Sequence, residues 1–488
     1  MNFQLRYMSA EMNNRILKIL RFGVLLFTPV VVEAADWEID KDMLSEPFWA
    51  SDPMLLMSEH GRQGFAFTSG EKNAADCRRE GAVACFGFDA YETVLRFGEE
   101  AGVASVEISL YNNGGVEKVE ERRLDDGTKI RHHRRDDRVL SRDDFMKIVR
   151  EVGEKLTAAG AKQPKATDGA MRTAERTVKE KQWMKSVFGG AAKLVWSYTQ
   201  KGKSVDTFKP GYIKLTVERP GAGPVSGSSA KKTKTAKGAK KIKENILKDS
   251  RGTFLDNVPM VDQGMKGYCA ASTSERVLRY YGVEVDEHEI AQLAGTTADG
   301  GTSIRSLKES VDKIGRKFKL GTTLCYGDFE DSVDQRIAGL NKEVDNYNKA
   351  AKKLKCKQIT ADMYIRHEGN ITHYDCSKVD ELMEPKVLVE MKARGAQASK
   401  YKKFKKDVRE QIDKGIPLFW SVKLGIASEP EIPQANGYHM RLIIGYNDKK
   451  GEIIYTDSWG AGHEFKKMRD DWAWTITKSL FYMKPLSR

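Results

Sequence analysis

The sequence predicts an α+β protein in which two folded domains are joined by a polar linker. The chain has 488 residues, more than one hydrophobic core usually serves. A stretch rich in glycine, serine and lysine divides the chain near its middle. In the half that follows, helical patterns come first and β-rich runs come afterwards, an order that is typical of an α+β domain.

The amino-terminal segment, residues 12–34, is typical of a secretory signal peptide. Basic residues precede an apolar run over 22–32, and small residues follow at the cleavage position. Residues 1–11 add nothing to this pattern, so we interpret them as an upstream extension, with Met12 as the alternative initiator. We expect an exported protein, periplasmic or secreted, which stays anchored to the membrane only if the signal is not cleaved.

Composition and charge exclude several classes of function. Hydrophobic residues make up 40% of the chain, but no run in the mature part reaches the roughly 18 apolar residues of a membrane span, so we expect none. The net charge is +13, yet the densest lysines lie in the linker, away from aromatic stacking residues, so nucleic acid is not an expected partner. No CxxC or HExxH pattern occurs in the sequence, and we expect no metal and no other cofactor.

Residues 36–219 are predicted to form an α+β domain whose function the sequence does not reveal. The strand pattern is clearest over 103–110, and the helical pattern over 145–156. Residues 220–250 have few large apolar side chains and cannot bury enough surface to offset the entropy of ordering, so we predict a flexible linker. A solvated tether is the favoured interpretation, and a processing site between the domains is the alternative.

Residues 251–488 form the second predicted domain, and its helices precede its strands. The charged stretch 328–412 is expected to be a helical insertion. Within it, the segment 333–354 spaces its apolar residues by alternating fours and threes, which places them on one stripe of a long helix. The stripe consists of Val333, Ile337, Leu340, Val344, Tyr347, Ala351 and Leu354. We expect it to pack within the chain, with self-association through 333–354 as the less favoured alternative.

Three apolar, β-rich runs end the second domain and predict an antiparallel sheet. They span 417–422, 442–446 and 453–457, and a charged turn with glycine separates the last two. Since strands joined by so short a turn pair antiparallel, residues near the ends of this hairpin are brought side by side.

Cys269 has the sequence context of a nucleophile. An apolar helical pattern follows it and ends at Gly282, so the sulfur lies in the first helical turn, where the helix dipole and free backbone N–H groups favour an anion. This matters because cysteine attacks a carbonyl only as a thiolate. Six residues earlier, Gln263 can offer its side-chain amide to an oxyanion, and the backbone N–H of Cys269 supplies a second donor.

His439 and Asp457 complete the expected site. His439 lies just before the strand 442–446 and Asp457 ends the neighbouring strand, so antiparallel pairing can place the imidazole beside the carboxylate. The carboxylate would orient the ring and favour its charged form. His463, which follows the same pair of strands, is the reserve candidate for the base.

Three motifs carry a resemblance to a known superfamily. They are Gln263-Gly-Met-Lys-Gly-Tyr-Cys269-Ala, Gly437-Tyr-His439, and Tyr455-Thr-Asp457-Ser-Trp459-Gly460. Together they resemble the papain-like cysteine peptidases, and particularly their bacterial C39-like relatives, over about residues 251–488. Papain itself has asparagine where this chain has Asp457, whereas the C39-like relatives use aspartate.

The resemblance implies a fold, an activity and a role for each motif residue. The fold is a helical part plus an antiparallel sheet, and the activity is hydrolysis of peptide or protein substrates by an exported cysteine peptidase. Gln263 would be the oxyanion donor, Cys269 the nucleophile, His439 the base and Asp457 the orienting residue. Trp459 would shield the bond between the histidine and the aspartate.

Two other functions remain open at the level of sequence. Acyltransferases of the transglutaminase kind use cysteine, histidine and aspartate in the same chain order. The position of Gln263 and the Asp-Ser-Trp-Gly run favour the peptidase over this class. A catalytically inactive papain-like binding module is the third hypothesis, and the presence of all four polar groups argues against it.

Overall fold

The structure of the chain is a computed structural model. It describes residues 37–68, 72–79, 81–98, 102–112, 118–123, 129–134, 140–169, 176–200, 207–221, 239–263, 267–283, 285, 287–294, 304–327, 333–368, 371–374, 382–430, 432 and 436–486. The predicted signal peptide, 12–34, lies outside these ranges. Within them, no helix combines the length and the apolar character needed to cross a membrane.

The first lobe, defined as residues 37–221, is built on a large antiparallel sheet. Its eight described strands are, in order across the sheet, Thr167–Asp168, Arg176–Trp183, Ala192–Thr199, Lys209–Glu218, Val103–Asn112, Glu92–Phe97, Ala74–Cys77 and Ala66–Phe67. Helix Arg142–Leu156 packs against the middle strands with an apolar face that includes Phe145 and Val152. The strand and the helix that the sequence predicts over 103–110 and 145–156 are therefore both present.

Smaller elements complete the described part of the first lobe. They are helices Ile39–Met43, Glu46–Ala50 and Pro53–His60, the 3-10 turn Gly61–Gln63, a sheet of Trp37–Glu38, Val83–Cys85 and Phe88–Asp89, and the pair Lys118–Arg123 with Lys129–Arg134. Several of them contribute to the same hydrophobic core, through Trp37, Ile39, Phe48 and Val83.

The second lobe, defined as residues 239–486, also has an antiparallel sheet. Six described strands follow one another across it: Ile246–Asp249, Gly252–Leu255, Gly437–Asn447, Leu418–Leu424, Thr477–Pro485 and Leu320–Tyr326. Strand Glu452–Thr456 also pairs with Gly437–Asn447, and Lys466–Arg469 pairs with Glu452–Thr456. The predicted hairpin is present, and its register sets Leu442 opposite Thr456, so His439 and Asp457 emerge at the same end.

Helices cover this sheet. They are Ala239–Lys243, Cys269–Tyr280, Glu287–Leu293, Ile304–Lys317, Val333–Leu354, Pro385–Val389, Ala398–Ile412 and Asp470–Ile476, with a 3-10 turn at Ala361–Tyr364 and a π-helical turn at Glu390–Arg394. This combination of helices with an antiparallel sheet is the α+β architecture that the sequence predicts.

The insertion 328–412 is not wholly helical as expected. Strands Ile365–Glu368 and Ile371–Tyr374 form an antiparallel pair inside it. The alternating residues on either side of Gly369 and Asn370 are the sequence signal for such a hairpin, and the strong helical periodicity before them obscured it.

The predicted linker, 220–250, is also shorter than expected at its carboxy-terminal end. A helix occupies Ala239–Lys243, and Ile242 is buried in the core of the second lobe. Ile246–Asp249 then forms the edge strand of the sheet, with mostly exposed side chains. The lysines that suggested a tether are typical of a protected edge strand, whose pairing depends on the backbone rather than on apolar side chains.

Part of the apolar stripe of the long helix Val333–Leu354 packs within the chain. Leu340, Val344, Tyr347 and Ala351 are all buried in the core of the second lobe, whereas Leu354, at the end of the stripe, is exposed. Intramolecular packing, the favoured expectation, therefore describes these four residues. Self-association through the same helix stays an untested prediction.

Each lobe has its own hydrophobic core. The buried residues of the first core lie between Trp37 and Val217, and those of the second between Ile242 and Met483. Residues 36–488 nevertheless form one compact unit, so the two cores are held against each other.

Candidate active site

Cys269 is the first residue of the helix Cys269–Tyr280, with Tyr268 in the N-cap position. The helix is buried along almost its whole length, while the Cys269 residue itself stays partly exposed. Gly282, at φ +77°, adopts the left-handed conformation just beyond its end. The predicted position of Cys269 in the first turn of a helix is thus present.

Arg276 ties this helix to the strand that carries the aspartate. Its guanidinium donates to the backbone oxygens of Pro259 and Asp457, both at 2.7 Å, and to the hydroxyl of Thr456 at 2.6 Å. Arg276 lies in the second turn of the helix and is almost fully buried. Three charge-assisted bonds therefore fix the distance between the helix start and the end of the strand.

His439 and Asp457 form a buried ion pair. Nε2 of His439 bonds to Oδ1 of Asp457, which also accepts the backbone N–H of Ser458 at 3.0 Å. The indole of Trp459 stacks on the imidazole, with the ring centroids 4.1 Å apart and an interplanar angle of 7°. The bond to Asp457 and the stacking on Trp459 therefore fix the orientation of the imidazole ring.

The thiol of Cys269 interacts with the same imidazole. Nε2 of that ring is engaged by Asp457, and Nδ1 is buried. Burial alone would raise the pKa of the thiol. The hydrogen bond and the charge of His439, with the backbone of Met440, outweigh burial and lower that pKa below its usual value.

The pKa of His439 is raised, whereas that of Cys269 is lowered. Burial alone would lower its pKa, but the charge and hydrogen bond of Asp457, with the thiol of Cys269, raise the pKa of His439 to about 9. Burial opposes ionisation of Asp457 as well, and His439 and Arg441 overcome it to hold the pKa of this carboxyl well below its usual range. His439 is thus favoured as an imidazolium and Asp457 as a carboxylate near neutral pH, and the Cys269 thiol is shifted towards its thiolate form.

Gln263 is held beside this pair by Ser458. The backbone N–H of Gln263 donates to the carbonyl of Ser458 at 2.8 Å, and the hydroxyl of Ser458 donates to Oε1 of Gln263 at 2.6 Å. Because Oε1 is the acceptor in this bond, Nε2 is the atom that the side chain can present as a donor elsewhere. The structure therefore places Gln263 beside Ser458, the residue that follows Asp457.

Arg441 is a member of this cluster that the sequence reasoning missed. It lies two residues after His439 on the same strand and is fully buried. Its Nε is 2.7 Å from Oδ2 of Asp457, and its Nη1 bonds to both carboxylate oxygens of Glu429 at 2.8 and 3.1 Å. A charged residue in an otherwise apolar strand was the signal that could have found it.

His463, the reserve base, occupies a different position. Its backbone oxygen accepts the N–H of Asp457 at 2.9 Å, and its ring meets the edge of Trp459 with centroids 5.6 Å apart. The carboxylate that would orient a base is bonded to His439 instead. The geometry therefore favours His439 over His463.

Comparison with known proteins is consistent with this arrangement. Residues 255–480 match the model of the Peptidase_C39 like family. The peptidase domain of Streptococcus ComA, described as a bi-functional ABC transporter involved in a quorum sensing pathway, matches at 11% identity over 47% of this chain and 99% of that chain, with a TM-score of 0.22. A likeness at that score carries no argument about fold or function.

Curated proteins offer no significant match to this chain. The assignment rests on the family match, which spans the whole cluster from Gln263 to Trp459. Residues 255–480, which hold the whole cluster, are accordingly similar to the Peptidase_C39 like family.

Proposed function

We propose that the second lobe is an active cysteine peptidase that hydrolyses peptide bonds in peptide or protein substrates. The observation that carries this proposal is the buried His439–Asp457 pair, whose imidazole lowers the pKa of Cys269 at the start of a helix. A buried structural cysteine needs neither a charged histidine nor an orienting carboxylate, and it would have a raised pKa. Cys269 has both partners and a lowered pKa.

The proposed reaction begins with attack by the Cys269 thiolate on the scissile carbonyl carbon. A carbon–sulfur bond forms, and the carbonyl oxygen takes the negative charge. The backbone N–H of Cys269 and the side-chain amide of Gln263 stabilise this oxyanion. As the carbon–nitrogen bond breaks, the His439 imidazolium gives its proton to the leaving amine.

The second half of the reaction restores the enzyme. Neutral His439 takes a proton from water, and the resulting hydroxide attacks the thioester carbonyl. The carbon–sulfur bond breaks, the carboxylic acid leaves and the thiolate returns. Asp457 keeps the imidazole oriented in both halves, and Trp459 covers the histidine–aspartate bond on one side.

We also propose that the protein acts outside the cytoplasm. The charged, apolar and small-residue pattern over 12–34 supports this proposal. Measuring the amino-terminal sequence of the protein recovered from its native compartment tests it, since export with cleavage predicts a new terminus near Ala35.

Covalent labelling tests the peptidase proposal. The full chain is treated with a peptidyl vinyl sulfone, and the intact mass and the modified peptide are determined. One adduct on Cys269 is expected, because the probe needs an activated thiolate and a peptide-binding cleft. Cys325 serves as an internal control, since burial raises the pKa of that partly exposed thiol to about 12.

The outcomes separate the competing functions. No adduct on Cys269 would contradict the proposal and favour an inactive binding module. An adduct on Cys269, followed by products that carry an added primary amine in preference to water, would instead favour an acyltransferase.

A further inference from the structure

The first lobe contacts the second at the two positions that flank the candidate oxyanion hole. Asp262 directly precedes Gln263, and Tyr268 directly precedes Cys269. Both residues are bonded to side chains of the first lobe. The first lobe therefore reaches the chain on both sides of the segment between Gln263 and Cys269.

Arg78 makes the first of these connections. Nη2 of Arg78 donates to the backbone oxygen of Asp262 at 2.6 Å, and Nη1 lies 3.2 Å from the Asp262 carboxylate. On the side of the first lobe, Nε donates to Glu92 at 2.6 Å and Nη2 lies 3.0 Å from Asp76. The guanidinium is largely buried, so these bonds are little screened by solvent.

Tyr268 makes the second connection. Its hydroxyl donates to Oδ1 of Asn112, at the end of a first-lobe strand, at 3.1 Å in a buried environment. Its ring meets the edge of His288, with centroids 5.7 Å apart, and Nε2 of His288 lies 3.4 Å from Glu92. Glu92 therefore links the Tyr268 contact to the Arg78 contact.

The junction is a cluster of buried titratable groups. Glu92, Glu287 and His288 present ligand-type atoms within 4.8 Å of one another, and all three are buried. Arg78 bonds to Glu92 and supplies positive charge to this group. Losing that cation would remove positive charge from buried carboxylates of both lobes.

The position of Asp262 constrains that of Gln263 through the backbone. The two residues are adjacent, and the far side of Asp262 is confined by Gly460, where a Cβ would come within 2.3 Å of the carboxylate. Gln263 itself is bonded to Ser458 through its backbone N–H and through its Oε1. The backbone at 262 and 263 is thus supported by Arg78 from the first lobe and by the run Ser458–Gly460 from the second.

We propose that the first lobe is a working part of the enzyme, in which Arg78 is a positioning residue that holds the Gln263 donor in place. This proposal rests on the proposed peptidase function. It argues against the interpretation of the first domain as a removable pro-segment. Releasing that lobe would remove the bond from Arg78 to the backbone beside Gln263.

The expected effect follows from the role of the oxyanion hole. Removing one donor typically lowers turnover by about 10² to 10³-fold. Arg78→Met leaves Gln263 in the chain but loosens it, so a decrease in kcat of about 10-fold or more is expected, with a small change in KM. Alkylation of Cys269 by iodoacetamide needs no oxyanion hole, so its rate should stay unchanged.

The experiment compares Arg78→Met with Lys179→Met in the full chain. Lys179 is the matched control, because it makes an ion pair with Asp168 at 2.6 Å within the first lobe, near the opposite edge of the sheet. Lys179→Met should leave kcat, KM and the alkylation rate as in the wild type. If Arg78→Met lowers kcat and alkylation equally, or leaves both unchanged, the positioning role is overturned.

Hydrogen exchange keeps the test independent of turnover. Backbone amides over 256–263 should exchange faster in Arg78→Met than in the wild type, and no faster in Lys179→Met. Unchanged exchange in Arg78→Met would overturn the inference even if the wild type is an active peptidase. Conversely, faster exchange in a protein without peptidase activity would support the junction and reject only the proposed function.

Discussion

Asp457 lies between two buried cations, and this sets the charge of the whole site. One carboxylate oxygen faces the imidazole of His439, and the other faces the guanidinium of Arg441. Arg441 is itself paired with Glu429 and lies over the ring of Tyr455. A second cation keeps Asp457 ionised, and it also offsets part of the charge that would otherwise act on His439.

Replacing Arg441 should destabilise the protein strongly. Arg441→Met leaves Glu429 without its cation and Asp457 with only one of its two, a change that costs about 3–5 kcal/mol. Urea unfolding measures the loss. Arg409→Met is the matched control, because Arg409 pairs with Asp448 in an exposed ion pair, which contributes at most about 1 kcal/mol. Equal losses in the two variants would show that Asp457 does not depend on Arg441.

The pH dependence of hydrolysis should reflect the coupled pair. The active form needs Cys269 deprotonated and His439 protonated. Because the pKa of Cys269 is lowered, kcat/KM should rise at a pH below that of an ordinary thiol. It should fall again near pH 9, as the imidazolium loses the proton that the leaving amine requires.

Asp457→Asn tests whether the Asp457 carboxylate raises the pKa of His439. Loss of the carboxylate removes the charge that raises the pKa of His439, so the alkaline limb of kcat/KM should move to lower pH. Asp362→Asn, an exposed aspartate outside the site, is the control and should leave the limb in place. An alkaline limb that stays near pH 9 in Asp457→Asn would contradict the role of Asp457.

The residues that the sequence predicted well are those whose role is local. Cys269 at a helix start, and His439 and Asp457 at one end of a hairpin, follow from patterns within a few residues of each. Arg276 and Arg78 could not be found in this way, because their partners lie far along the chain and are identified only by the fold. Buried long-range ion pairs have no periodic signature in sequence.

At the scale of elements, a run with two glycines follows the strand Glu452–Thr456 and passes beside Asp262, the residue before Gln263. Gly460 has φ +76° and contacts Asp262, so it needs both a left-handed backbone and the absence of a side chain. Gly462, two residues later, has φ +85° and no atom within 4 Å of the place where its Cβ would lie. The two glycines share a conformation and differ in what surrounds them.

Alanine variants of the two glycines distinguish the effect of a steric contact from the effect of backbone strain. Gly462→Ala should cost about 1–2 kcal/mol through its left-handed conformation and should leave kcat/KM nearly unchanged. Gly460→Ala adds a contact with Asp262 and should also lower kcat/KM, by displacing the neighbouring Gln263. Thermal unfolding and steady-state kinetics measure both effects. Similar kinetics in the two variants would show that Asp262 moves without disturbing Gln263.

Element boundaries were less predictable than element types. A glycine near the end of a helical pattern predicts the end of the helix, yet helix Ile304–Lys317 continues past Gly315. A Cβ at Gly315 would lie 3.1 Å from the backbone of Leu320, so the glycine permits close packing of the next strand. The sequence pattern of a glycine near a helix end fits both uses, and only tertiary packing distinguishes them.

At the scale of the whole molecule, the two lobes have separate cores but share polar contacts beside the candidate site. The separation of cores follows from chain length and composition, which is why the sequence predicted it. The shared contacts, from Arg78, Asn112 and their partners, depend on how two folded surfaces meet. Composition carries no information on that docking.

The central claim is that Cys269 is the nucleophile of a peptidase. Its most direct test is steady-state hydrolysis of an unfolded protein substrate by the full chain and by Cys269→Ala, with thermal unfolding of both. We predict that the variant loses activity by more than about 10³-fold, because no other group replaces the thiolate, while its melting temperature stays close to that of the wild type. Hydrolysis that persists in a folded Cys269→Ala protein would contradict the account.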